Sequence, residues 1–240
     1  MVYRVQNLRK CLGSIILLIS LAFSTYLNGQ IAPGTYLSVL ENNHHELKIS
    51  ANYLIYSVYS NKPAEFIKTQ GGYYTVQDGA IKVDLEFNSN FEHDGVRQLL
   101  ISFSSENDKL TLQTDVPRIF SRIEKVAQDL DGQWLFATRG PDEGQERRGD
   151  ENPRKTLKFL IDGRFQWIAY HTETFDFSGT GGGTYTAKDG VYTEQIEYFS
   201  RDNTRVGALL NFNYEVKGTD WHHTGKNSKG EPLYEIWAKR

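Results

Sequence analysis

The sequence reads as an all-β protein: a signal peptide followed by two tandem small antiparallel barrels. Three observations carry this. From Gly34 onward, short runs rich in β-branched and aromatic residues alternate with turn residues, without a sustained period of 3.6 residues. One hairpin occurs twice, as GGYYTVQDGAIKVDLEFNS over Gly71 to Ser89 and as GGTYTAKDGVYTEQIEYFS over Gly182 to Ser200, 110 to 111 residues apart. A period near 100 in a chain of 240 residues means a duplicated domain, since solenoid units are much shorter.

The N-terminus stands apart from that body. Arg4, Arg9 and Lys10 precede an apolar run from Leu12 to Phe23, with small or polar residues after it, which is the layout of a secretory signal. A bilayer span needs about 20 apolar residues. Residues 1–30 therefore read as a cleaved signal, cut between Ser24 and Ile31, and the mature chain as periplasmic or secreted. The only cysteine, Cys11, lies inside the signal, so the mature chain has no thiol for a disulfide, a thiolate metal site or a nucleophile. Without the three signal cations the body carries 24 basic against 30 acidic residues, a net charge near −6. That balance disfavours nucleic acid and, after cleavage, a membrane surface. A small-molecule or oligosaccharide ligand is the partner to expect; no cofactor is called for, and the oligomeric state is left open.

Taken in order, the first repeat (residues 31–125) gives strands near Thr35 to Leu40, Glu46 to Ser50, Tyr53 to Tyr59, Glu65 to Thr69, Tyr73 to Val76, Ala80 to Phe87, Val96 to Ser104, Lys109 to Thr114 and Arg118 to Ile123. Eight or nine antiparallel strands with short turns suit a small up-and-down barrel. The Asp-Gly pairs at 78–79 and 189–190 supply tight hairpin turns. The linker Glu124 to Asp131 suggests one helical turn. The second repeat (131–240) opens on Gly132-Gln133-Trp134, matching Gly34-Thr35-Tyr36, and continues through Leu157 to Leu160, Phe165 to Tyr170, the second hairpin, Val206 to Tyr214, Trp221 to Thr224 and Tyr234 to Ala238. Matching Leu47 to Leu157 gives the second copy 12 extra residues in Arg139 to Lys155. That stretch is charged and rich in Gly and Pro, which predicts a mobile surface loop. Each repeat holds a complete strand set, so the halves should fold separately.

The second repeat also carries the opening Gly-x-Trp, DGRFxW at Asp162 to Trp167, GGTYTxxDGxYTExIEY, WHHxG at Trp221 to Gly225 and the closing EIWxxR at Glu235 to Arg240. In these it resembles the lipocalin-like (calycin-type) secreted domains of unknown function of glycan-degrading bacteria. The resemblance implies a lipocalin-like barrel, with no single activity to transfer.

The informative feature is where the copies differ. Alternation puts Ile81, Val83, Leu85 and Phe87 on one face of the first hairpin's second strand, which must be the barrel interior. The same register puts Tyr192, Glu194, Ile196 and Tyr198 inside the second barrel, so a carboxylate stands where the first has Val83. Trp221 and His223 likewise stand where the first has Leu110 and Leu112. An unpaired buried charge costs several kcal/mol, so Glu194 and His223 are either a self-satisfying pair, misread by a bulge, or parts of a polar cavity. The first barrel reads as aliphatic, filled and structural, the second as the functional one.

Two functions are compatible with such a cavity. One is a carbon–oxygen lyase on an acidic, uronate-containing oligosaccharide. In it His223 is the base, oriented by Glu194, with Tyr192 or Tyr198 as proton donor. Trp167, Trp221, Tyr170 and His222 contact the sugar, and the loop cations Arg147, Arg148 and Arg154 attract its carboxylate. The other is a non-catalytic binding protein for a small polar or carbohydrate ligand. A metal is not part of either: His222 and His223 are adjacent on a strand and point to opposite faces.

Overall fold

The computed structural model describes residues 31–227 and 229–240; the expected signal peptide lies outside them. The chain forms two closed antiparallel barrels of eight strands each. Barrel one comprises β1 (Gly34–Leu40), β2 (Asn43–Ile49), β3 (Tyr53–Asn61), β4 (Ala64–Gln77), β5 (Ala80–Asn88), β6 (Gln98–Glu106), β7 (Lys109–Gln113) and β8 (Arg118–Arg122), with β8 pairing back onto β1. Barrel two comprises β9 (Gly132–Arg139), β10 (Arg154–Ile161), β11 (Arg164–His171), β12 (Phe177–Lys188), β13 (Val191–Phe199), β14 (Leu209–Lys217), β15 (Asp220–Lys226) and β16 (Pro232–Lys239), closed by β16 on β9. The two strands expected at Glu65 to Thr69 and Tyr73 to Val76 are one strand, β4, because Gly71-Gly72 continue the strand opposite a bulge in its partner instead of turning. The linker runs without helix up to a turn at Asp129-Leu130.

Both hairpins turn as the Asp-Gly pairs require. Asp78 and Gly79 have φ of 51° and 74°, and Asp189 and Gly190 have 52° and 80°, two consecutive positive φ angles that close a two-residue loop. The repeated Gly-Gly has a separate cause. Gly72 pairs with Leu85 while Gly71 pairs with Phe87, and Gly183 pairs with Ile196 while Gly182 pairs with Tyr198, so each partner strand bulges by one residue, at Glu86 and Glu197. A side chain at Gly72 or Gly183 would overlap the carbonyl oxygen of Asp84 or Gln195.

Each bulge reverses the facing of the residues beyond it on its strand, and this overturns part of the alternation argument. Phe87 and Tyr198 leave the barrel interiors and enter a seam between the barrels. There Phe87 packs against Tyr170 (ring centroids 5.0 Å apart), and Tyr198 stacks on Tyr59 at 4.5 Å. The seam has its own apolar cluster, drawing Tyr53, Ile55 and Phe87 from one barrel and Leu157, Phe159 and Ile168 among others from its neighbour.

Around that cluster the polar contacts run in pseudo-twofold fashion. Tyr59 Oη donates to Glu197 at 3.0 Å, and Tyr170 Oη donates to Glu86 at 2.8 Å. Arg164 reaches Glu46 across the seam (2.6 Å), Arg240 forks onto both oxygens of Glu86 (2.8 and 2.6 Å), and Ser57 donates to Gln166 at 2.9 Å. The two barrels therefore share a core, in addition to the one inside each.

Candidate functional site

Barrel two encloses an open cavity of about 540 Å³. Its position is set by strand register. β1 pairs Gly34 with Ile49 and Tyr36 with Leu47; β9 pairs Gly132 with Leu160 and Trp134 with Lys158. Lys158, not Leu157, is therefore the counterpart of Leu47, the insertion is one residue longer than matching by residue type gives, and Leu157 belongs to the seam. A slip of one residue exchanges the two faces of a strand. Three aliphatic side chains of barrel one, Leu47, Val83 and Leu112, are thus replaced in barrel two by Lys158, Glu194 and His223. Each trio lines the cavity of its own barrel. Barrel one is not filled, as expected from sequence, but holds an equivalent cavity of about 370 Å³ walled mainly by aliphatic residues.

The polar groups pair differently from the sequence-based expectation. Lys158 Nζ contacts Glu194 Oε1 at 2.9 Å, and Tyr192 Oη donates to the same oxygen at 2.7 Å. The ammonium sits 5.0 Å from the ring centroids of Tyr192 and Trp221 and 5.2 Å from that of Trp237. An aromatic cage and a carboxylate together offset the cost of burying the cation. Burial, then Glu194, raises the Tyr192 hydroxyl well above its ordinary pKa.

His223 does not pair with Glu194. Its Nδ1 faces Glu235 Oε2 at 3.4 Å, and that oxygen also accepts from Trp237 Nε1 at 3.2 Å. The carboxylate places the ring proton on Nδ1 and leaves the lone pair on Nε2, which has no hydrogen-bond partner among the described residues. Burial, then the Lys158 charge, lowers the His223 pKa, so the imidazole is neutral near pH 7. Burial alone would raise Glu235, but its hydrogen bond from His223 and the Lys158 charge outweigh that and leave it below the usual carboxylate value.

Stability should therefore depend on pH through His223. The unfolded chain binds a proton at this residue below its ordinary pKa of 6.5, whereas the native state resists doing so. Stability should hold above that value and fall as pH drops through it. His45, pushed down to about 4 chiefly by burial, adds a loss of the same sign. The His223 share is what disappears from the urea midpoint between pH 7 and 5 when His223→Gln is compared with the parent in a His45→Gln background. An unchanged pH slope in that comparison would refute the assignment.

The remaining sequence candidates divide. Trp167 lines the cavity. Trp221 lies beneath it, fully buried in the core cluster. Tyr198 is removed to the seam by the bulge, and Tyr170 is buried with its hydroxyl on Glu86 and lines a smaller recess beside the cavity, so neither phenol is a proton donor in the cavity. His222 faces out, its Nδ1 2.9 Å from Tyr234 Oη. Arg147 is held by Asp142 (2.5 Å) and by Asp220 (2.8 Å) and does not line the cavity. Arg148 and Arg154 line a smaller recess beside it.

The loop expected to be mobile is tied down. Arg148 N donates to Ala137 O, and Asp150 contacts both Lys155 and Arg240. Sequence reasoning missed Lys158, Glu235 and Trp237. The first is hidden by the alignment slip; the other two carry a signal in the closing EIW, once β16 is known to lie beside His223.

Fold and cavity together define a tandem eight-stranded barrel protein of lipocalin-like form. No family model matches the chain, and no curated protein matches it in sequence.

Proposed function

We propose that this protein is exported and that its barrel two binds an acidic, uronate-containing sugar. The observation supporting this is the replacement of Leu47, Val83 and Leu112 by Lys158, Glu194 and His223 at equivalent positions of two cavities. Lys158 and Glu194 satisfy one another, but the buried His223 Nε2 has no partner among the described residues, a cost that a donor on an occupant would remove. Trp167, Phe199 and Trp237 offer ring faces, His223 Nε2 accepts from a sugar hydroxyl, and Arg205 and Lys226 line the same cavity as cations for a carboxylate.

One observation favours catalysis as a second reading: a neutral histidine, oriented by a carboxylate, with a buried Nε2 that has no hydrogen-bond partner among the described residues. In that reading Nε2 takes the proton from the carbon beside the uronate carboxylate. Its electron pair forms a double bond to the next carbon as that carbon's bond to oxygen breaks, and the leaving alkoxide takes a proton from the Lys158 ammonium. Tyr192 is committed to Glu194 and supports Lys158 instead of donating itself.

The test is to mix the protein with uronate oligosaccharides, follow the ultraviolet absorbance of an unsaturated uronate, and measure affinity by calorimetry. Elimination predicts an absorbance rise that falls about a hundredfold in rate in His223→Ala. Binding alone predicts no rise, and an affinity reduced about tenfold in the same variant. Equal affinity in parent and variant, with no absorbance change in either, would remove both readings.

A further inference from the structure

A second recess opens beside the polar cavity and carries a different chemistry. It has a volume of about 220 Å³ and shares Thr156, Glu235 and Trp237 with the larger cavity, so the two form one trough. Three arginines from separate parts of the chain line it: Arg148 from the inserted loop, Arg154 at the start of β10 and Arg201 just after β13. Among the described residues none of the three has a carboxylate within ion-pair distance. Lys155, also at the recess, is neutralised by Asp150 and Glu86. The carboxylate in the lining, Glu235, is engaged by His223 and Trp237.

Two of the arginines are held in place. The Arg148 guanidinium lies 4.8 Å from the Phe136 ring centroid, and its backbone N–H is bonded to Ala137 O. Arg201 donates from Nε to Ser178 O at 2.9 Å, with its guanidinium 6.0 Å from the Trp167 ring. Burial first, then the charges of Arg154 and Arg139, holds the Arg148 pKa below its ordinary value. Like charges converging on a concavity repel one another, and an anion seated among them removes that cost.

The duplication supplies an independent argument. In the register that equates Leu47 with Lys158 and Glu86 with Glu197, Arg154 and Arg201 correspond to Asn43 and Asn90, and Arg148 lies in the insertion barrel one lacks. All three cations are therefore peculiar to the copy with the polar cavity.

We propose that this recess is an oxyanion subsite for a sulfate ester on the glycan whose ring occupies the larger cavity. Three guanidinium groups approaching from three parts of the chain match the three terminal oxygens of such an ester better than the two of a carboxylate. The glycan as the source of the sulfate rests on the sugar-binding reading above; the anion chemistry rests on the arginines alone.

The experiment titrates the full two-barrel protein with sodium sulfate, holding ionic strength constant with sodium chloride, and follows the total tryptophan fluorescence, to which Trp237 in the recess and Trp167 beside Arg201 contribute. Saturable binding beyond that of chloride is expected, weakened about tenfold by Arg148→Gln and lost in Arg148→Gln/Arg154→Gln. The thermal midpoint of each variant confirms that it is folded. A second arm compares a sulfated uronate disaccharide with its desulfated form. The sulfated sugar should bind more tightly to the parent and lose that advantage in the double variant. Sulfate binding no better than chloride, or unchanged by the double substitution, overturns the subsite. Sulfate binding that depends on the arginines while neither sugar binds supports the subsite and overturns the sugar reading.

Discussion

Glu194→Val is expected to destabilise the protein by about 3 kcal/mol, and adding Lys158→Leu to recover part of that loss. The single substitution leaves the Lys158 ammonium among Tyr192, Trp221 and Trp237 without its carboxylate at 2.9 Å. Breaking one partner of a buried pair typically costs about 3–5 kcal/mol, whereas replacing both by apolar groups is often neutral. The lower end applies because Lys158 also lies in the field of Glu235. The double variant restores the Leu47 and Val83 chemistry of barrel one but leaves the Tyr192 hydroxyl without its acceptor, a residual loss of about 1–3 kcal/mol that Tyr192→Phe should remove. Urea unfolding of the four proteins is the measurement. A single variant as stable as the double one would mean that Lys158 and Glu194 are not coupled. Reverting Glu194 and His223 together, the natural experiment if those two were partners, should be nearly as damaging as Glu194→Val alone, because Lys158 is what it strands.

How far the site can be read from the sequence turns on single-residue registers. Where two copies align without a gap, as at Val83 and Glu194 or Leu112 and His223, comparison locates the interior positions, and all four line the cavities. Lys158 escapes that comparison because it lies beyond the insertion, where residue type favours matching Leu47 to Leu157 over matching it to a lysine. The physical register set by Gly34 with Ile49 and Gly132 with Leu160 contradicts that match. Tyr198 and Phe87 are misplaced for a different reason. Alternation holds only until a bulge, and the repeated Gly-Gly marking it reads equally well as the start of a hairpin. The eight-stranded barrels are legible because turn chemistry and strand patterning are local. The seam is not, since Arg164–Glu46 and Arg240–Glu86 join residues more than a hundred apart with nothing in either neighbourhood to announce the pairing.

That seam argues against the halves folding separately. Residues 131–240 expressed alone should lack a sharp unfolding transition, although they contain every strand of barrel two. The fragment would expose Leu135, Leu157, Phe159 and Ile168, all buried in the intact chain. At about 1.5–3 kcal/mol for each fully buried side chain, the loss is roughly 6–12 kcal/mol. This is comparable with the whole stability of a typical domain, about 5–15 kcal/mol. Arg164 would lose Glu46, Glu197 would lose the Tyr59 hydroxyl, and Tyr170 and Arg240 would lose Glu86. Water can rehydrate these groups once the seam is open, so the apolar term dominates. Far-ultraviolet circular dichroism and tryptophan fluorescence, followed through urea titration, compare fragment with full chain. The full chain should unfold in one transition with a slope proportional to both barrels' buried surface, and the fragment in a broad, shallow one. A fragment with its own steep transition at an undiminished midpoint would show that each barrel's internal core suffices and that the seam joins two already stable domains.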